Sequence, residues 1–377
     1  MTVALSPVLA DLAQYPFARL DDWKAEALAR GTELVDFGMG DPREVTPAFI
    51  REAMLASVDP VSSYPRATGL PELRSAIARW LERRFAVHAD PDRELVPTLG
   101  SKEAIFSFAQ VALGDKRGVA IPEPAYPVYE RGALFAGGQV VRVPLDEKHG
   151  WLPDLDAFTA WDEIALFWVC YPNNPTGAVA PPAFYEELAA RAREHGFLVC
   201  SDEAYSELWF DEPPVSALQV ADRSNVVVFN TLSKRSSMTG YRSGFVCAPP
   251  RIVDALRAFR PTVGTAPQEF VQLASVAAWS DEKHVEDVRA LYRRKREIVL
   301  PAFEEVGFRL AGGAATFYLW LEVDRPSEDV ARGLLDAGVV VAPGAFFGEA
   351  GEGYVRVALV PTQAECERAA AIVRGLR

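Results

Sequence analysis

Apolar residues are distributed along this chain in two alternating patterns. Stretches that are apolar almost throughout recur at 95–99, 119–121, 140–143, 164–170, 197–201 and 226–230. A run without a polar face predicts a strand covered on both sides. Between these runs the apolar positions take helical spacing. In 71–85, Leu73, Ile77, Trp80 and Leu81 share one face and arginines lie opposite, which predicts an amphipathic helix. Residues 103–113 and 182–195 read the same way, the second closed by Gly196. Covered strands alternating with helices predict an α/β fold: a mostly parallel central sheet with helices on both faces. Past about residue 280 the texture changes. A charged helix over 281–299 precedes Phe317-Tyr318-Leu319-Trp320, a strand at 339–342, a Pro343-Gly344 turn, a strand at 354–359 and a last helix. That order predicts a smaller α+β domain. Residues 1–20 read as a proline-punctuated arm anchored by Tyr15, Pro16 and Phe17, 21–30 as a helix, and 34–37 as a short strand. Thr46 and Pro47 read as the N-cap and first residue of the next helix. The expected division is an arm with part of the small domain in 1–44, a large domain in 45–283 and a small domain in 284–377.

Composition narrows the classes. A chain of 377 residues is too long for one simple core and suits two domains. A net charge of −13 argues against a binder of nucleic-acid backbone, which needs a basic footprint. Cys170, Cys200, Cys247 and Cys366 are far apart and form no CxxC pair, so they read as reduced thiols of a cytoplasmic protein. No apolar run reaches membrane-spanning length, and residues 1–20 lack the basic start of a signal peptide. No metal is expected.

The chemistry gathers at the ends of the apolar strands. Thr231-Leu232-Ser233-Lys234-Arg235-Ser236-Ser237-Met238-Thr239-Gly240-Tyr241-Arg242-Ser243-Gly244 reads as a loop between two core strands. A lysine there is costly to bury charged, and desolvation favours the neutral amine that attacks a carbonyl. Arg242 offers fixed donors to a phosphate, and Gly240 and Gly244 let the backbone approach a ligand. An aldehyde-binding lysine beside a phosphate-binding arginine points to pyridoxal 5'-phosphate; a solvated basic loop is the plain alternative. Four other strand ends fit. Gly100-Ser101-Lys102 opens a helix whose N-terminal amides face an anion, or is an ordinary glycine turn. Tyr126 can stack on a planar ring, or cover the core edge. Asn173-Asn174-Pro175-Thr176-Gly177 is turn chemistry from which Asn174 can donate to a ligand oxygen. Asp202, at the end of a buried strand, needs a cationic partner, and a pyridinium nitrogen is one; Tyr205 then reaches the phenolic oxygen. By contrast, Gly38-Met39-Gly40-Asp41-Pro42 begins like a dinucleotide motif but lacks its third glycine.

In this order the pieces resemble the fold-type I pyridoxal-phosphate enzymes, class I/II aminotransferases. The matching residues are Tyr64 with Gly69-Leu70-Pro71-Glu72-Leu73-Arg74, the Gly100 turn, Asn174-Pro175-Thr176-Gly177, Asp202-Glu203-Ala204-Tyr205, Ser233-Lys234 with Gly240-Tyr241-Arg242-Ser243-Gly244, and Arg356. Within that family the chain looks most like N-succinyldiaminopimelate aminotransferases, on Tyr15-Pro16-Phe17, His284-Val285-Glu286, Arg289-Ala290-Leu291-Tyr292-Arg293 and Phe317-Tyr318-Leu319-Trp320. Asn173 and Met238-Thr239-Gly240-Tyr241 depart from that subfamily's pattern. The resemblance implies that Lys234 bonds the cofactor aldehyde and then carries the proton, that Asp202 keeps the pyridine nitrogen protonated, and that Asn174 and Tyr205 bind the phenolic oxygen. It implies Tyr126 on the ring, Gly100, Ser101, Lys102, Ser233 and Arg242 at the phosphate, and Arg356 with Gly40 and Asn174 at the substrate α-carboxylate. Tyr64 is expected to cross to a second copy's phosphate, making a homodimer. The implied reaction is ping-pong transfer from glutamate to a keto acid, N-succinyl-2-amino-6-ketopimelate on the closer resemblance. Aspartate-type or broad-specificity transamination and carbon–sulfur lysis remain alternatives, and a non-catalytic regulator does not fit the acidic charge. Arg235 and Arg66 are expected candidates for a distal carboxylate.

Overall fold

A computed structural model describes residues 6, 8–9 and 16–376. Tyr15, expected to anchor the arm, lies outside the described residues. From the N-terminal side the elements are α1 (Pro16–Ala29), β1 (Val35–Asp36), α2 (Ala48–Ala56), α3 (Pro71–Phe85), β2 (Leu95–Thr98), α4 (Gly100–Ala112), β3 (Gly118–Glu123), α5 (Val128–Phe135) and β4 (Gln139–Pro144). Then come β5 (Ile164–Cys170), α6 (Pro182–His195), β6 (Leu198–Asp202), β7 (Val226–Thr231), the single turn α7 (Leu232–Arg235), β8 (Gly244–Cys247), α8 (Pro250–Val263) and α9 (Glu269–Ser280). The last part holds α10 (Lys283–Glu304), β9 (Arg309–Gly312), β10 (Tyr318–Glu322), α11 (Ser327–Asp336), β11 (Val339–Val340), β12 (Ala342–Pro343), β13 (Tyr354–Ala358) and α12 (Gln363–Arg374).

Strands β2 to β8 form one sheet in the order β2-β8-β7-β6-β5-β3-β4. The five strands β7, β6, β5, β3 and β4 run parallel, with the apolar β5 at their centre and the partly polar β4 at the exposed edge, while β8 is antiparallel to both of its neighbours. Alternation along β7 shows why: Val226 and Val228 enter one core with α3, α6 and α9, and Val227 and Phe229 enter the other with α4, α5 and α8. Both faces are covered, so no polar side of a strand is needed. A second, antiparallel sheet of order β12-β13-β10-β9 is built from the C-terminal part, and β1 pairs in parallel with β11. Among the described residues no helix is long and apolar enough to cross a membrane.

Three local expectations change. The helix at 16–29 starts earlier than read, and Phe17 is buried within it. Thr46 does not cap α2; its hydroxyl donates to Ser237 O at 2.6 Å, tying the segment after β1 to the Lys234 turn. Gly244 serves packing rather than ligand approach, because any side chain there would run into Asn230 O and the Gly100 backbone.

Candidate active site

The carboxyl ends of β5, β6 and β7 open into a cavity of ≈ 260 Å³. This is where a mostly parallel sheet presents backbone and side chains to a ligand. The segment 39–41, Tyr318 of β10, Arg356 of β13 and Phe17 of α1 close its other side.

Lys234 lies on α7, whose Ser233 amide is held by Thr231: the threonine hydroxyl accepts from Ser233 N at 3.2 Å and donates to Ser243 O at 3.0 Å. The lysine Nζ reaches across to Gly40 O at 2.5 Å. Burial pulls its pKa down to about 8, Asp41 opposes the shift, and Arg356 and Arg242 add to it. Asp202 is the last residue of β6 and is buried. Its carboxylate accepts from Tyr129 OH at 2.8 Å and from Ala204 N at 3.2 Å. Burial pushes its pKa up to about 6 against those two hydrogen bonds. Among the described residues Asp202 forms no ion pair: its side-chain donor is the neutral phenol of Tyr129, and Lys234 acts on it only as a weaker, more distant charge.

Arg356 is buried between the two sheets. It donates to Asn174 Oδ1 and to Gly38 O, both at 2.8 Å, and its Nε has no acceptor among the described residues. Its guanidinium carbon sits 4.3 Å from the Tyr318 ring centre, 4.6 Å from that of Phe347 and 5.5 Å from that of Phe17. Asn174 spends its carbonyl on Arg356 and keeps its amide NH2 for the cavity. Tyr205 and Tyr318 share a hydrogen bond of 2.8 Å between their hydroxyls.

At the other end Ser101 and Lys102 lie in the first turn of α4, so helix amides and a cation face the cavity together. Burial and the neighbouring Arg242 lower the Lys102 pKa. Its Nζ stands 6.0 Å from the Tyr126 ring centre. Arg242 takes a left-handed backbone with φ of 56° and is steadied by Thr239 O at 2.7 Å and Leu99 O at 3.2 Å. Ser233 completes the group.

The cavity therefore brings together Gly40, Ser101, Lys102, Tyr126, Asn174, Asp202, Tyr205, Ser233, Lys234, Arg242 and Arg356. Gly100 stands just behind the wall, its α-carbon side facing the Arg242 guanidinium. Tyr64 is not in this cavity: its side chain is wholly exposed. Arg235 is a correction. It points away from Lys234 into the core, donates to Ala278 O at 2.9 Å and Glu282 Oε2 at 3.0 Å, and lies over Trp279 at 4.7 Å. Its neighbour Ser236 bonds His284 Nε2 at 2.9 Å, so the residues after Lys234 anchor the turn rather than meet a substrate. Arg66 is exposed and also lies outside the cavity. Sequence reading missed Tyr129, since a tyrosine inside an apolar helix face looks like core. It also missed the roles of Thr231 and Asp41.

The donor set fits pyridoxal phosphate. It offers an amine for the aldehyde, a buried carboxylate for the ring nitrogen, a phenol and an amide for the phenolic oxygen, and a helix start with two cations for the phosphate. Comparison with known proteins agrees. The family model described as aminotransferase class I and II matches residues 32–373. An LL-diaminopimelate aminotransferase of Nitratidesulfovibrio vulgaris is 39% identical over 386 residues, covering 99% of each chain. An aminotransferase from Neisseria meningitidis superposes with a TM-score of 0.91 at 38% identity, covering 99% of this chain and 100% of that one. A probable N-succinyldiaminopimelate aminotransferase from Thermus thermophilus gives a TM-score of 0.89 at 29% identity, covering 96% of this chain and 100% of that one.

Proposed function

Because the chain belongs to the class I and II aminotransferases and is a pyridoxal-phosphate-dependent aminotransferase, we propose that it moves an amino group between LL-diaminopimelate and 2-oxoglutarate in the cytoplasm. Arg356 facing Lys234 across the cavity carries the α-amino-acid part of this reading. A bidentate guanidinium held by Asn174 and Gly38 fixes an α-carboxylate in one orientation. That sets the substrate Cα within reach of the Lys234 amine.

Bound in this cavity, the cofactor supplies an electron sink for the bond electrons released at the substrate Cα. Lys234 Nζ would take the Cα proton as a base and, as an acid, deliver it to the cofactor side of the C–N bond, and a pKa near 8 suits that exchange at neutral pH. Asp202 holds a proton on the ring nitrogen. Its own pKa of about 6 falls once a cation sits against it, because an opposite charge favours the carboxylate. Tyr205 and the Asn174 amide hold the phenolic oxygen, Tyr126 covers the ring, and Ser101, Lys102, Ser233 and Arg242 hold the phosphate.

The distal end of the substrate decides the finer reading. Among the described residues four cations line the cavity: Lys102, Lys234, Arg242 and Arg356. The first three serve the cofactor and the fourth takes one carboxylate. A second substrate carboxylate has to be read from outside this set. Val45, Leu55, Val58, Val61 and Tyr64 form an exposed strip along one segment, and we assign it to the face of a second copy, which brings Tyr64 and Arg66 to the neighbouring cavity. The relative at 39% identity supports the free diamine as substrate, and the structural neighbour at 29% supports its succinylated form.

With 2-oxoglutarate as acceptor, glutamate formed from LL-diaminopimelate and from N-succinyl-LL-diaminopimelate separates the two. The free diamine should have the higher kcat/KM by about ten-fold or more, the scale of one mismatched charged contact of roughly 1.5–3 kcal/mol. A ten-fold preference for the succinylated donor would replace this substrate while leaving the aminotransferase in place.

A further inference from the structure

Tyr318 is the least explained group in the cavity. It opens β10 and is buried, yet its hydroxyl meets no backbone acceptor among the described residues. Its partner is the Tyr205 hydroxyl at 2.8 Å, with the two rings 5.4 Å apart at 63°. On the other side the same hydroxyl lies so close to Gly40 that any side chain there would run into it. Gly40 in turn accepts from Lys234. The Tyr318 ring also carries the Arg356 guanidinium, 4.3 Å away.

Each phenol has one proton to give and oxygen lone pairs to receive one. Without a ligand, either of the two can be the donor. Once Tyr205 turns its proton to the phenolic oxygen of the cofactor, its oxygen can only accept from Tyr318. A hydroxyl that accepts a hydrogen bond becomes a better donor, and the gain is largest where water is excluded. We propose that Tyr318 is a positioning residue for the cofactor: by donating to Tyr205 it directs the Tyr205 proton onto the phenolic oxygen and strengthens that bond. Tyr318 also supports Arg356 with its ring, so the arrangement that holds the substrate carboxylate and the one that tunes the cofactor share a single side chain.

The proposal rests on the placement of Tyr205 beside the phenolic oxygen given above, but not on the choice of substrate. Its test is the pH at which the visible band of the bound cofactor titrates, read in the holoprotein without substrate. A weaker hydrogen bond leaves more negative charge on the phenolic oxygen and raises that pH. Tyr318→Phe should move the midpoint up by roughly half a pH unit, from the ~10–30% strengthening expected along a hydrogen-bond chain. Tyr205→Phe should move it further, and adding Tyr318→Phe to Tyr205→Phe should produce no additional shift. If Tyr205→Phe moves the midpoint and Tyr318→Phe does not, the role given to Tyr318 is wrong. It is equally wrong if Tyr318→Phe shifts the midpoint by the same amount in both backgrounds, or releases the cofactor. If Tyr205→Phe itself leaves the midpoint unmoved, the placement of Tyr205 fails instead.

Discussion

Lys234→Ala is expected to lower transamination by roughly 10³–10⁴-fold, the upper range for a positioned acid–base group. The turn should survive, because α7 is held by Thr231 below it and by Arg235 and Ser236 beyond it, not by the lysine. Added small amines should restore part of the rate, since they supply the missing base. Stability of the cofactor-free protein gives an independent readout. Lys234 has a folded pKa of about 8 against an ordinary value of 10.5. Between those values the unfolded chain binds the extra proton, so wild-type stability should rise as pH goes from about 8 to 10.5. Below pH 8 both states are charged and the full cost of burial is present. Melting curves of the two cofactor-free proteins should therefore converge over this window, with the alanine variant at least as stable at about pH 7. An alanine variant that keeps turnover, or a wild type whose stability shows no such rise relative to the variant, would contradict the role.

Asp202→Asn should cost about 3–5 kcal/mol of barrier, the scale for losing one partner of a buried charge pair. That is a loss of roughly 10²–10³·⁵ in kcat. The effect belongs on the chemistry rather than on folding. With its oxygen turned to Ala204 N, the asparagine amide can donate its NH2 to the Tyr129 hydroxyl, which then accepts, and at about pH 7 the substitution removes a carboxylate that burial makes costly to ionise. A folded pKa of about 6 above the ordinary 3.8 means that wild-type stability falls as pH rises through that interval, and the asparagine variant lacks the fall. The measurement is kcat alongside cofactor retention and melting temperature. Unchanged kcat with the cofactor bound would exclude Asp202 from the ring nitrogen.

Much of this site was legible because its residues sit where apolar strands end. Asp202, Asn174 and Lys234 each follow a run that has no polar face, and a parallel sheet gathers such ends at one edge. Arg356 was legible only through the family resemblance, since a single arginine inside the short strand β13 carries no local signal. What stayed hidden was side-chain direction. Arg235 adjoins Lys234 in sequence, but successive residues on a helical turn diverge, and two tryptophans with Glu282 hold it in the core. Tyr129 and Tyr318 were hidden for a related reason: each lies in an apolar pattern, and only the tertiary fold turns its hydroxyl toward Asp202 or Tyr205. The antiparallel direction of β8 is likewise set by the short return from α7, not by its apolar sequence. Helices α8 and α9 were not read from the sequence; α9 is apolar on most sides, which blurs its helical periodicity.

The most direct test of the whole account is a single half-reaction. Purified protein loaded with pyridoxal phosphate is mixed with LL-diaminopimelate and no keto acid. The visible band of the cofactor should disappear in proportion to active sites, with one equivalent of the deaminated product formed and no ammonia. Adding 2-oxoglutarate should then restore the band and yield one equivalent of glutamate. Continued turnover without a keto acid, releasing ammonia, or pyruvate and ammonia from a cysteine conjugate, would identify an eliminating enzyme instead. A band that LL-diaminopimelate leaves unchanged while another amino acid bleaches it would contradict the substrate.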